Sequence, residues 1–130
     1  MTIQRFEDLE AWQEARRLTR MIYEMATQGE LRKDFSLRDQ MTRAALSVMN
    51  NIAEGFTSQS DAEFIRFLGY ARRSTAEVQT GLYVALDRRY ISDSEFRSAY
   101  TQAETSRKLV DGFLRYLRAS RRPKRVAVSS

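Results

Sequence analysis

The chain has no cysteine and no histidine, one proline and five glycines in 130 residues. Without cysteine there is no disulfide framework, no thiolate metal site and no cysteine nucleophile. Without histidine the commonest general base and the commonest metal ligand are absent. The di-metal sites of helical bundles, which use Glu-x-x-His pairs, go with it. There is no glycine loop to cradle phosphates and no nucleophile elbow. Proline is confined to Pro123, so long helices are permitted almost throughout. No apolar run approaches the ~20 residues of a membrane span. The start, Met1-Thr2-Ile3-Gln4-Arg5-Phe6-Glu7-Asp8, lacks the apolar segment of a signal peptide. The expectation is a cytoplasmic, non-enzymatic protein with no cofactor, no metal and no membrane contact.

What is present is 42% hydrophobic residues, enough for one packed domain, and a lopsided charge. Residues 1–114 hold 16 Lys and Arg against 17 Asp and Glu. Residues 115–130 hold Arg115, Arg118, Arg121, Arg122, Lys124 and Arg125 and no acid, so the whole excess of +5 comes from the C-terminus. Such asymmetry points to an anionic partner at one end of the molecule.

Hydrophobic periodicity predicts four helices. The first spans about Asp8 to Ala26, with Ala11, Ala15, Leu18, Ile22 and Met25 inward, and Gly29 ends it. The second spans about Leu37 to Glu54, opened by Ser36-Leu37-Arg38-Asp39. The third spans Asp61 to about Arg89, with Phe64, Leu68, Ala71, Thr75, Val78 and Leu82 on its core line. The fourth spans Asp93 to about Ser120, with Ala99, Ala103, Val110, Leu114 and Leu117 inward. Ser60-x-x-Glu63 and Ser92-x-x-Glu95 read as capping boxes for the last two. Pro123 ends the fourth. Short connections make neighbours antiparallel. The expected fold is an all-α, antiparallel up-down four-helix bundle over 1–120, followed by a basic, disordered tail over 121–130.

The stretch Ser47-Val48-Met49-Asn50-Asn51-Ile52-Ala53-Glu54-Gly55-Phe56 is apolar on more than one face. At ~100° per residue, Met41, Ala45, Val48 and Ile52 line one side and Leu46, Met49 and Ala53 a second. Ile65, Ala76 and Tyr83 give the third helix a similar second line. Large exposed apolar patches are rare on monomers. Leu46, Met49, Ala53, Ile65 and Tyr83 are therefore expected at an interface between copies. Ser47, Asn51 and Glu54 are expected to face Ser74, Glu77 and Thr80, within one protomer or across an interface, as a polar network fixing helix register. A carboxylate pair, Glu54 with Glu77, is the functional alternative. Gly55 reads as the left-handed residue that stops the second helix.

Several motifs together resemble one family: Phe6-x-x-Leu9-x-x-Trp12, Gln40, Arg43-Ala44-Ala45, Ser47, Asn51-Ile52-Ala53-Glu54-Gly55, Glu63-Phe64-x-x-Phe67-Leu68, Ala71-x-x-Ser74, Glu77-x-x-Thr80 and Tyr90-Ile91. Over about residues 6 to 118 the chain is similar to the bacterial four-helix-bundle family of 23S rRNA intervening-sequence proteins. The same family includes the accessory variability (Avd) proteins of diversity-generating retroelements. The resemblance implies a homopentamer packed as staves of a barrel. For the retroelement branch it implies a basic surface contacting nucleic acid and a reverse transcriptase. Three positions depart from the pattern. Arg73 and Arg89 stand where glycine is common, and Ser58 where arginine is frequent.

Two basic groups are candidates for nucleic-acid contact. Arg66, Tyr70 and Arg73 share the outer face of the third helix, where arginines beside an aromatic can grip phosphate and stack a base. An ordinary solvated face, flanked by Glu63 and Glu77, is the plainer account. The second group is Arg115, Arg118, Arg121, Arg122, Lys124 and Arg125, part of which suits the helix dipole. Binding through either would be electrostatic and indifferent to sequence. Arg107 falls on the apolar side of the fourth helix, as a snorkelling guanidinium or in an ion pair with an acid of the second or third helix. The function expected is an oligomeric adaptor touching RNA or DNA backbone, as an accessory to a reverse transcriptase where one is present. A structural or protein–protein module without a nucleic-acid role is the alternative.

Overall fold

The computed structural model describes residues 3–129, with side chains described from residue 3 to residue 120. Its helices are α1 (Glu10–Ala26), α2 (Phe35–Thr57), α3 (Asp61–Asp87) and α4 (Asp93–Ser129), with short 3-10 turns at Phe6–Asp8 and Leu31–Lys33. There is no strand among the described residues. Contacts run α1–α2, α2–α3, α3–α4 and α4–α1, which closes an antiparallel up-down four-helix bundle. The range of α4 passes Pro123, beyond the end read at Ser120. A proline's fixed φ is itself helical, but inside a helix it forfeits a backbone bond and its ring crowds the carbonyl four residues back. The side chains of 121–130 lie outside the described residues, and with them the expected tail.

The core is two apolar clusters stacked along the bundle. One gathers Leu18, Ile22, Leu31, Met41, Ala45, Val78, Leu82, Ala99 and Ala103. The other gathers Leu9, Ala15, Val48, Ile52, Phe64, Leu68, Val110, Leu114 and Leu117. Between them along α3 and α4 lie the fully buried hydroxyls of Thr75 and Ser106. Thr75 donates to Ala71 O at 2.9 Å, whereas Ser106 Oγ has no partner.

The helix ends follow their caps, with three differences from the sequence reading. Residues 6–8 form a 3-10 turn, and α1 starts only at Glu10. Asp34, not Ser36, caps α2. Its Oδ1 accepts from Leu37 N–H at 3.2 Å and its Oδ2 from the Tyr90 hydroxyl at 2.9 Å. Gly55 does not stop α2, which runs on to Thr57. Gly55 is buried and helical because the rings of the next helix press on it: a Cβ there would stand 2.7 Å from Phe64 Cδ1.

The other start signals act as read. Ser60 Oγ accepts from Glu63 N–H at 3.2 Å. Ser92 and Glu95 form the full reciprocal box, at 3.0 and 2.8 Å. After α3 the left-handed residue is Arg89, with φ 61°. Tyr90 N–H donates to Ala85 O at 2.8 Å and Arg89 N–H to Leu86 O at 2.9 Å, the paired bonds that close a helix on such a residue.

Candidate nucleic-acid interface

The α3–α4 seam opens outward into a groove of about 690 Å³, and arginine dominates its lining. Helix periodicity puts Gly69, Arg72, Arg73 and Ala76 on one wall and Arg107, Asp111, Leu114, Arg115 and Arg118 on the other. Gly69 and Ala76 keep the α3 wall low, and a Cβ at Gly69 would meet nothing within 4 Å. The groove joins Arg73 of the first basic group to Arg115 and Arg118 of the second.

Two groove arginines are tied to acids. Asp111 bridges the helices: Oδ1 meets Arg72 Nε at 2.7 Å and Oδ2 meets Arg107 at 2.8 Å. Arg107 also donates to Glu104 Oε1 at 2.6 Å, and Gln79 holds the other Glu104 oxygen at 2.7 Å. The hydrogen bond from Arg107, seconded by that from Gln79, holds the Glu104 carboxyl below its ordinary range. The same bond to Glu104, with the carboxylate's charge, raises the Arg107 guanidinium. Arg107 is therefore neither a lone snorkelling side chain nor paired with an acid of α2 or α3. Its acids are on its own helix, one turn to either side. Arg72, Asp111, Glu104 and Gln79 were missed in the sequence reading. Glu104 and Asp111 had a signal, their i−3 and i+4 spacing from Arg107, whereas Arg72 and Gln79 had none.

Arg66 and Tyr70 sit beside the groove rather than in it, exposed on α3. The Arg73 guanidinium lies 5.5 Å from the Tyr70 ring centre, and that of Arg66 lies 5.3 Å from the Phe67 ring. Arg73 thus links an aromatic face to the groove. Arg121, Arg122, Lys124 and Arg125 lie outside the described side chains.

The other predicted groups are partly brought together. Ser47 and Ser74 hydroxyls meet at 2.8 Å, and the Asn51 amide donates to Ser47 Oγ and Ser47 O, both at 2.9 Å. Glu54, Glu77 and Thr80 are exposed and lie outside this network. Thr80 spends its hydroxyl on Ala76 O. Among the described residues Glu54 and Glu77 have no ion pair, and no cluster of acids is placed to hold a metal.

The five residues expected at an interface fall on two different seams. Leu46, Met49 and Ala53 face the α1 side of α2, where Met49 is half-buried against the cluster containing Phe6 and Trp12. The 3-10 turn at Phe6–Asp8 packs on both α1 and α2 and accounts for that burial. Ile65 and Tyr83 face α4 instead. Ile65 packs on the core, and the Tyr83 ring stacks 5.0 Å from Phe96 and 5.6 Å from Tyr100. The second apolar line of α3 is thus only partly covered by α4: Tyr83 stays 50% exposed and Leu46 on α2 42% exposed.

The sequence matches the family model described as 23S rRNA-intervening sequence protein over residues 7–112. The chain belongs to that family. As a member of the 23S rRNA-intervening sequence protein family, it carries the α3 wall of the groove and the Asp111 bridge inside the matched region, and Arg115 and Arg118 beyond it. It is also similar to a crystal structure at 1.70 Å of a protein with unknown function from the S23 ribosomal protein family of Bacteroides thetaiotaomicron. The TM-score is 0.73 at 22% identity, covering 80% of this chain and 97% of that one. At that identity what is shared is the fold. No curated protein matches. Among the described residues no helix is long and apolar enough to cross a membrane.

Proposed function

We propose that this protein is a non-enzymatic, oligomeric adaptor of the cytoplasm that contacts the backbone of RNA or DNA through the α3–α4 groove. The observation that carries the reading is the meeting of Arg73, Arg115 and Arg118 in one groove, from two stretches of sequence about forty residues apart. A groove lined by guanidinium groups with an aromatic at its edge suits a phosphate backbone, which Arg grips in bidentate fashion. The absence of histidine and cysteine favours display over catalysis. The resemblance to Avd proteins extends the proposal to a ring, a pentamer, and to service beside a reverse transcriptase where one is encoded nearby. In a ring the groove repeats, so weak single contacts gain avidity. Exposed Phe35 and Leu46 lie on one line of α2 and support assembly there.

The test replaces Arg73, Arg115 and Arg118 together with glutamine and follows anisotropy of a labelled RNA at low salt. Affinity is expected to fall at least tenfold with helicity unchanged. Equal binding by the two proteins overturns the reading and leaves the protein–protein module, for which the α2 stripe would be the working surface.

A further inference from the structure

We infer that Asp111 is an internal counter-anion, seated where a phosphate would sit between Arg72 and Arg107, and that it withholds Arg72, and together with Glu104 withholds Arg107, from nucleic acid. The inference rests on the reading of the groove as a nucleic-acid interface.

The geometry is specific. One carboxylate gives one oxygen to an arginine of α3 and the other to an arginine of α4, at 2.7 and 2.8 Å. The two non-bridging oxygens of a phosphodiester would make the same pair of bonds. Asp111 lines the open groove rather than the core, with its side chain 20% exposed and that of Arg72 55% exposed. An ion pair with one partner as exposed as Arg72 contributes little to stability, so holding the fold together is a poor account of the link across the seam. Arg107 is matched a second time by Glu104, itself held by Gln79. Arg73, Arg115 and Arg118 have no ion pair among the described residues. The groove is therefore divided lengthwise. Its end toward Gln79 is neutralised and turns phosphate away, its end toward Arg118 is open, and Arg73, without such a pair among the described residues, stands at the level of the bridge itself. A strand lying in it is bounded by Asp111 and leads along α4 toward the C-terminus. The seam lies between two packed helices whose axes stand ~8–10 Å apart, which suits a single strand rather than a duplex.

The experiment uses the full chain and a fluorescein-labelled single-stranded oligouridylate of about 20 nucleotides, longer than the ~4–16 nucleotides such a groove covers. Binding is titrated between about 50 and 200 mM salt. Asp111→Asn keeps the shape and removes the charge. It is expected to tighten binding about tenfold and to steepen the plot of log affinity against log salt by about 0.7, one single-strand phosphate, since Arg107 stays matched by Glu104. Adding Arg72→Gln to that variant should return both quantities to the original values. In the unaltered background, Arg72→Gln with Arg107→Gln leaves Asp111 and Glu104 unmatched and weakens binding by repulsion, but it should leave the salt slope unchanged, because no phosphate contact is lost. A folded Asp111→Asn protein that binds no tighter overturns the inference. So does a salt slope that falls by about 0.7 or more from the two glutamines alone, which stands as the test even where Asp111→Asn does not fold. Polyglutamate gaining as much as oligouridylate would reassign the groove to an acidic protein and overturn it as well. No binding of oligouridylate by the unaltered protein removes the nucleic-acid reading itself, a different result from unchanged binding in the variant.

Discussion

Gly55 of α2 lies directly under the ring of Phe64 of α3: a Cβ at 55 would be 2.7 Å from Phe64 Cδ1 and 3.1 Å from Phe67 Cβ. Alanine would gain about 1 kcal/mol of helix propensity, but forcing the rings aside costs about 1–3 kcal/mol. Gly55→Ala should therefore destabilise by about 1 kcal/mol. Gly69 is the control, since a Cβ there meets nothing within 4 Å, and Gly69→Ala should stabilise by about 1 kcal/mol. Urea midpoints moving in opposite directions at constant slope would show both effects.

Arg89 holds a left-handed φ of 61° at the end of α3. A non-glycine residue there costs about 1–2 kcal/mol. Arg89→Gly is expected to raise stability by about 1 kcal/mol, part of the gain being offset by the freer unfolded chain. Thermal unfolding at matched pH checks it, and a lower midpoint would contradict the strain.

Asp34 ties two connections together, since one oxygen caps α2 and the other takes the Tyr90 hydroxyl. Removing a cap costs about 0.5–2 kcal/mol and a single hydrogen bond about 1 kcal/mol. Asp34→Ala should therefore destabilise more than Tyr90→Phe. The double variant should lose less than the sum, because both share one bond. Strict additivity in chemical denaturation would mean that the bond contributes nothing.

Acid should loosen the α3–α4 seam. The hydrogen bond from Arg107 holds Glu104 below its ordinary range, so its contribution to stability is present above the unfolded value of about 4.3. It is lost as pH falls through the lower folded value. Stability measured from about pH 6 down to pH 3 should decline, and Glu104→Gln should make that decline shallower. An unchanged slope would show the carboxylate to be idle.

The helices were legible because their inward lines are long and periodic, as with Phe64, Leu68, Ala71, Val78 and Leu82 on α3. Gly55 was misread because a glycine near a helix end looks the same whether it terminates the chain's winding or makes room for a neighbour. Only the position of Phe64, fixed by another helix, separates the two. Ile65 and Tyr83 are a related case. A second apolar line tells that a partner exists, and α4 of the same chain supplies part of it, with Tyr83 still 50% exposed. The groove was half visible: Arg73, Arg115 and Arg118 stand out as charges, whereas Arg72 and Asp111 gain their meaning from a contact between residues 39 positions apart.

Each helix gives one half of its length to one apolar cluster and the other half to the second, with Thr75 and Ser106 between them. No helix can therefore detach without opening both clusters at once. The unit that opens independently is one end of the bundle, not one helix. Amide hydrogen exchange should accordingly sort by height along the bundle axis. The amides around Leu18, Val78 and Ala103 would exchange as one group, and those around Val48, Leu68 and Val110 as another. The junction of the two, where Ser106 keeps an unpartnered hydroxyl, is the plane along which the protein comes apart.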